Sequence, residues 1–183
     1  MPNSMHEPTS IAAGTADAGA SVDFTWAGDR WQHSVRIRRP GGETADSWGS
    51  VEGSSAAGGD PRWPASPVLV ELSAVALPGA EPADGKPAVG KAVVGVGLAG
   101  RSHFSAAIAR DPDRPGAIRF EIACRLTEPP GWIGSTYRVG TRLVQVVPRA
   151  ALAPLPRTVT WSYSLGPDGL SAGGDSDVLT AGA

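Results

Sequence analysis

Apolar and polar residues alternate along several segments of the chain, as they do in β-strands with one buried face. The clearest alternation covers residues 118–126, where Ile118, Phe120 and Ile122 begin the apolar series and arginine or glutamate stands between them. A second covers residues 158–165, which place β-branched and aromatic residues at the apolar positions. Both segments are predicted to be strands with these apolar residues in the core.

Weaker alternation predicts further strands, joined by connections rich in glycine and proline. These strands are placed at residues 22–26, 31–37, 67–77, 89–98 and 135–147. The chain holds 24 glycines and 17 prolines, far more than a helical bundle tolerates. We therefore expect an all-β fold, an antiparallel β-sandwich or flattened β-barrel of eight or nine strands. The pattern does not distinguish the sandwich from the barrel.

The two ends differ in composition from the rest of the chain. Residues 1–20 and 166–183 are dominated by small and polar residues, which bury too little apolar surface to offset the entropy of ordering. The sequence therefore predicts a flexible N-terminal tail at 1–20, one β domain at 21–165 and a flexible C-terminal tail at 166–183.

A faint internal echo connects the two halves of the domain. Ala27-Gly28 and Ala99-Gly100 are each followed by an arginine, a serine and an isoleucine in the same order. About thirty residues later an acidic-Pro pair and a tryptophan follow in each half, at Trp63 and Trp132. Two explanations stay open here, a duplicated β unit and chance.

Residues Gly95 to Gly100 match the GxGxxG pattern of dinucleotide-binding turns. That interpretation requires a helix at about 101–110, and Glu121 lies at a suitable distance for a ribose contact. The same segment also alternates like a strand, and only one βαβ unit fits into the chain. Glycines in a bent strand therefore explain the pattern more simply than a dinucleotide site does.

No catalytic or metal-binding motif stands out among the titratable residues. The histidines are His6, His33 and His103, without the close spacing of a zinc motif, although the internal echo places His33 and His103 at similar positions. The single cysteine, Cys124, lies on the inward face of its predicted strand, where a thiol is usually inert. We expect no metal and no cofactor.

Six tryptophans, several of them beside predicted turns, offer either flat apolar surface to a partner or plugs for the ends of a β core. If the tryptophans offer their surface to a partner, then they and the neighbouring basic residues are the candidate ligand- or partner-binding residues. These are Trp31, His33, Trp63, Arg101, His103 and Trp132.

Charge and cysteine content bound the function. The chain has 16 basic and 18 acidic residues, so no net field favours nucleic acid or an anionic membrane. One cysteine, no apolar span of membrane length and no signal-like start predict a cytoplasmic protein. The leading hypothesis is a non-enzymatic β domain that binds another protein or itself. The alternatives are a β-barrel for a small ligand and a nucleotide-dependent oxidoreductase.

Overall fold

The computed structural model describes residues 9–15, 17–41, 44–52, 63–80 and 88–181, and within them the chain forms strands and turns. The strands are β1 (Thr9–Gly14), β2 (Gly19–Trp26), β3 (Trp31–Arg38), β4 (Thr44–Ser50), β5 (Glu71–Ala80), β6 (Ala88–Ala99), β7 (Ser102–Arg110), β8 (Ile118–Leu126), β9 (Ser135–Val139), β10 (Arg142–Pro148), β11 (Arg157–Gly166), β12 (Gly169–Ala172) and β13 (Ser176–Ala181). These described ranges contain no helix able to cross a membrane.

Two antiparallel sheets pack face to face, which confirms the predicted all-β fold and identifies the sandwich as the form it takes, of the two that the sequence left open. One has seven strands in the order β1-β2-β3-β4-β9-β10-β13, and the other has six in the order β12-β11-β8-β7-β6-β5. The strands outnumber the eight or nine predicted, partly because 135–147 is a hairpin. Its turn is at Gly140, whose φ of 59° suits a residue without a Cβ.

The inward residues of both sheets form one core between them. The alternation predicted for 118–126 is confirmed, since every second residue of β8 is buried. Phe120 of β8 stacks on Tyr163 of β11, with ring centroids 4.9 Å apart. The indole of Trp161 is fully buried, and its Nε1 donates a hydrogen bond to Ser135 Oγ at 2.9 Å. Large aromatic side chains therefore fill the space between the sheets.

Strands at both ends correct the predicted tail boundaries. β1 pairs with β2 and buries Ile11, while β12 and β13 pair with β11 and β10. Residues 1–8, 16 and 182–183 lie outside the described residues. The predicted boundaries were based on the number of apolar residues. A strand at a sheet edge is held largely by backbone hydrogen bonds and needs few apolar residues.

The first eight strands form two successive meanders of four. β1 to β4 lie side by side in one sheet, and β5 to β8 lie side by side in the other. Ala27-Gly28 lies at the β2–β3 turn and Ala99-Gly100 at the β6–β7 turn, so the repeated dipeptide occupies the same place in each meander. Trp63 and Trp132 each follow a fourth strand. This correspondence agrees with the predicted duplication, which stays a prediction.

Candidate binding site on the outer face of the six-stranded sheet

The outer face of the six-stranded sheet carries a long apolar depression, which we name the outer trough. Three adjoining concavities, with volumes of about 590, 310 and 370 Å³, share residues along it. Its floor is formed by Ser105, Ala107, Ala109 and Ala123, its apolar wall by Val94, Val96 and Leu98, and its polar wall by Arg119, Glu121 and Arg125.

Strand register explains the shape of the outer trough. Ser105 on β7 pairs with Val96 on β6 and with Ala123 on β8, so short side chains lie beside a longer apolar one. The next row repeats the arrangement, with Ala107 between Val94 and Glu121. After His103, β7 contributes only small side chains to the outer face, so the sheet surface is lowest along this strand. The outer trough is about 20 Å long, the rise of six residues from His103 to Ala109.

The apolar wall exists because β6 is apolar on its outer side and carries glycine on its inner side. Gly97 faces the segment that leads into β5, and a Cβ there would collide with the Val68 carbonyl oxygen. A Cβ on Gly95 would lie 2.7 Å from Leu72 Cδ2. The glycines thus admit the incoming segment, while Val94, Val96 and Leu98 are left on the outside.

The GxGxxG pattern therefore belongs to a β-hairpin. β7 occupies residues 102–110, where a dinucleotide-binding turn requires a helix. Gly100 lies in the β6–β7 turn with a φ of 56°, a conformation that favours glycine. The nucleotide interpretation loses its structural basis, and the simpler alternative of glycines serving a strand and its turn describes the segment.

Three of the sequence-predicted site residues lie in the interior. Trp31 and Trp63 are 4% and 2% exposed, so these indoles fill the core and offer no surface to a ligand. The imidazole of His33 lies between the sheets, 5.5 Å from the Phe120 ring between centroids. For the two tryptophans, this burial is what the plugging role predicts, the role that the sequence left open beside a binding role.

The other three predicted residues lie nearer the surface, and one of them reaches the outer trough. Trp132 is half-buried and donates from Nε1 to the Ala65 carbonyl at 3.1 Å, so it holds the segment after β4. The side chain of Arg101 is exposed in the β6–β7 turn, whereas His103 lines the widest end of the outer trough. His33 and His103, which the internal echo places at similar positions, are therefore separated by the six-stranded sheet and do not lie together.

His33, whose side chain is half-buried, hydrogen-bonds to a chain of two buried tyrosines in the core. Its Nε2 is 2.8 Å from the Tyr137 hydroxyl, which is 2.8 Å from the Tyr163 hydroxyl. Burial lowers the pKa of His33 to about 4 and raises the pKa of both tyrosines, so all three groups are neutral near pH 7. A neutral, enclosed network of this kind orders the core and gives no nucleophile or charged acid to a substrate.

Glu52 is a second titratable group in a partly buried position, just after β4. Ser50 Oγ donates to Glu52 Oε1 at 2.6 Å and accepts from the His33 backbone N–H at 2.9 Å. Burial raises the pKa of Glu52 to about 7, and Arg30, which is held by Asp29 at 2.7 Å, offsets this only in part. Glu52 is therefore partly protonated at neutral pH.

Replacing Glu52 by glutamine should change how stability depends on pH. Because the folded-state pKa of about 7 lies above the ordinary value of 4.5, the stability contributed by the protonated carboxyl is complete below pH 4.5 and is lost as the pH rises through 7. The neutral Glu52→Gln chain should gain stability over wild type across this window, by up to about 3 kcal/mol at about 1.4 kcal/mol per pH unit. Urea unfolding at several pH values measures the difference.

His33 contributes with the opposite sign, since its stability is lost as the pH falls from 6.5 to about 4. It is present in both chains, so its contribution cancels in the comparison. Glu71→Gln, which replaces an exposed carboxylate, is the control and should follow the wild-type curve. A difference between Glu52→Gln and wild type that stays constant from pH 4.5 to 7 would contradict the assignment.

Nucleophilic and metal chemistry find no support in the described residues. Cys124 is buried, and burial raises the pKa of its thiol to about 12, so the reactive thiolate is scarce at neutral pH. No cluster of three or more His, Cys, Asp or Glu side chains suited to a metal ion occurs among the residues that the structure describes.

Sequence reasoning missed the outer trough because it looked for chemistry in tryptophans and histidines. A signal was present in residues 92–99, which are apolar or glycine throughout and therefore cannot have one polar face. This run was interpreted only from its glycines.

Searches of protein-family models, of curated proteins and of solved structures found no match to the chain.

Proposed function

We propose that this protein is a binding domain that holds a partner protein in the outer trough. The observation that carries the proposal is a continuous apolar wall on a sheet face turned to solvent. Val96 and Leu98 are 49% and 54% exposed, and Val94 continues the same row. Contiguous apolar surface of this kind is typical of interaction sites on folded domains.

The shape of the outer trough favours a polypeptide segment over a compact small ligand. The concavity of about 590 Å³, which has the largest volume of the three, is by itself the size of a small-molecule site. It continues without a break into two further concavities along β7. The small side chains of the floor allow a partner backbone to approach closely, and the length of about 20 Å accommodates an extended or helical segment.

The polar wall indicates the charge that such a segment carries. Arg119 is already held by Glu121 at 2.9 Å and lies 3.8 Å from Asp113. Arg125, at the end near His103, forms no ion pair with any residue that the structure describes. A guanidinium left free beside an apolar floor suits a carboxylate. We therefore expect the partner segment to have apolar side chains along one side and an acidic residue near Arg125.

The experiment compares two exposed apolar positions of matched exposure. Val96 lies in the outer trough, and Leu179, 47% exposed, lies on β13 in the other sheet. Affinity-tagged wild-type, Val96→Glu and Leu179→Glu chains are cross-linked in extracts of cells that express the protein, and the proteins recovered are quantified by mass spectrometry. Circular dichroism checks that each variant is folded.

We expect a discrete set of proteins that wild type and Leu179→Glu recover and that Val96→Glu loses. The purified partner should then bind Val96→Glu at least tenfold more weakly than wild type. Equal recovery by Val96→Glu and wild type, or no recovery above background by wild type, would overturn the proposal.

A further inference from the structure

A sheet edge exposes backbone donors and acceptors, and the seven-stranded sheet protects one of its edges with cations. At β1, Lys91 Nζ donates to the Ser10 carbonyl at 3.2 Å and Arg110 Nε donates to the Ala12 carbonyl at 2.8 Å. Both side chains come from the opposite sheet. They occupy acceptors that an added strand needs, so β1 is blocked against pairing with another chain.

Two other edges are poorly suited to pairing. β12 has only four residues, too few for a stable ladder with another strand. β13 begins beside a charged pair, in which Arg149 Nε contacts Asp177 Oδ1 at 2.7 Å, and Arg149 also donates to the Gly174 carbonyl at 3.1 Å. Charge and short length are the usual protections of an edge.

The remaining edge, β5, lacks these protections. It is ten residues long, and residues 72–80 carry no charged side chain. Residues 73–77 are all exposed, with Val75 at 40% and Leu77 at 41%. β6 covers one side of the strand, and no described residue hydrogen-bonds to the other side between 73 and 77. Pro78, which has no N–H, limits the segment available for pairing to about 71–77.

We infer that β5 pairs with β5 of a second copy of this chain, antiparallel about a twofold axis, so that the two six-stranded sheets become one. The sequence of the strand is compatible with itself. In a pairing centred on Val75, Ser73 faces Leu77 of the partner copy, and Glu71 lies beyond the paired residues. No like charges therefore meet across the pair.

Two properties favour a second copy as the occupant. The chain has a net charge of -2, so two copies repel each other only weakly. An isologous interface also needs one self-complementary surface, and a uniform uncharged edge strand provides it. A single strand pair buries less than the roughly 1,200 Å² of a standard interface, so the dimer should be weak and should depend on concentration. Glu71 and Leu77 of β5 also line the outer trough, so such a dimer lies along its border.

The experiment combines solution mass with amide exchange on the full chain. Sedimentation equilibrium from about 10 µM to 1 mM should show a monomer–dimer equilibrium, and hydrogen exchange at the two extremes should show slower exchange of residues 71–77 at high concentration. Val75→Lys, which places a charge at the centre of the pair, should remain monomeric throughout. Val178→Lys is the matched control, since Val178 is 42% exposed on the edge strand β13 and should leave the dimer intact.

A wild-type chain that is monomeric throughout that range would overturn the inference, and so would a dimer whose slowed amides lie outside β5. A dimer that survives Val75→Lys and is lost with Val178→Lys would place the interface on β13 instead. The exchange measurement uses wild type alone, so it decides the question even if Val75→Lys fails to fold.

Discussion

Ending the chain at Ala172 should lower the melting temperature by about 10 °C or more, because the deletion removes a strand that connects both sheets. A loss of that size corresponds to a few kcal/mol in a domain of this length, at about 2–4 °C per kcal/mol. β13 pairs with β10 through six residues. At the first residue of β13, Ser176 Oγ accepts a hydrogen bond from the Ser162 N–H of β11 and donates one to the Ser162 carbonyl, both at 2.8 Å. Ser176 is fully buried. Deleting it therefore leaves the Ser162 N–H and carbonyl without these hydrogen bonds, and losing them costs free energy.

Thermal unfolding followed by circular dichroism measures this effect. A chain ending at Ala181 removes only residues 182–183 and is the control, which should melt with wild type. If the chain ending at Ala172 also melts with wild type, the C-terminal strands contribute little and the original expectation of a flexible tail is restored for that segment.

Replacing Phe120 by alanine should cost about 3–5 kcal/mol of unfolding free energy, the usual cost of deleting a buried aromatic side chain. Its ring is 1% exposed, stacks on Tyr163 and lies beside His33, so the cavity cannot collapse without disturbing the buried polar chain. Trp161→Ala should cost a similar amount and additionally leaves Ser135 Oγ without its indole partner.

Arg119→Ala is the matched control for the strand that carries Phe120. The guanidinium lies on the outer face, and its ion pairs with Glu121 and Asp113 are partly exposed, so the loss should be less than about 1 kcal/mol. Urea unfolding of the three variants measures the contrast. Equal losses for Phe120→Ala and Arg119→Ala would mean that the register of β8 is misassigned.

The central strands could be predicted from sequence because they alternate strongly. Residues 118–126 and 158–165 carry large apolar side chains at every second position, and burial of those side chains dominates the free energy of these segments. That pattern fixes both the strand and the face that it buries. The all-β class followed from several such segments and from the glycines and prolines between them.

The edge strands could not be predicted from the same pattern. Thr9–Gly14 and Gly169–Ala172 are rich in small residues, and their positions depend on a neighbouring strand that the local sequence does not specify. β6 posed the opposite difficulty, since its residues 92–99 are apolar or glycine on both sides. Only the close approach of Val68 to Gly97 decides which side faces inward, and this contact joins residues distant in sequence.

Of the six residues expected from sequence to bind a ligand or partner, His103 alone lines the outer trough. Its neighbours in the outer trough are valine, leucine and alanine, which a sequence reading assigns to the core. Exposure of these residues is a property of the topology, because no other element covers the outer face of β6 and β7 within the described structure. Tryptophan suggested a binding surface at Trp31 and Trp63, but large indoles are equally suited to fill a wide gap between sheets.

The way in which the later strands return to the two sheets bears on the rate of folding. β1 to β4 and β5 to β8 each contact their neighbours in sequence, so either meander forms through short loop closures. β9 must then reach β4, where Arg138 pairs with Gly49, whereas β11 returns to β8 and β13 lies beyond β10 in the first sheet. These alternating, distant pairings raise the contact order of the domain, which slows folding. We therefore expect the slow step of folding to be the addition of strands β9 through β13 to the two sheets. The collapse of either meander should be faster.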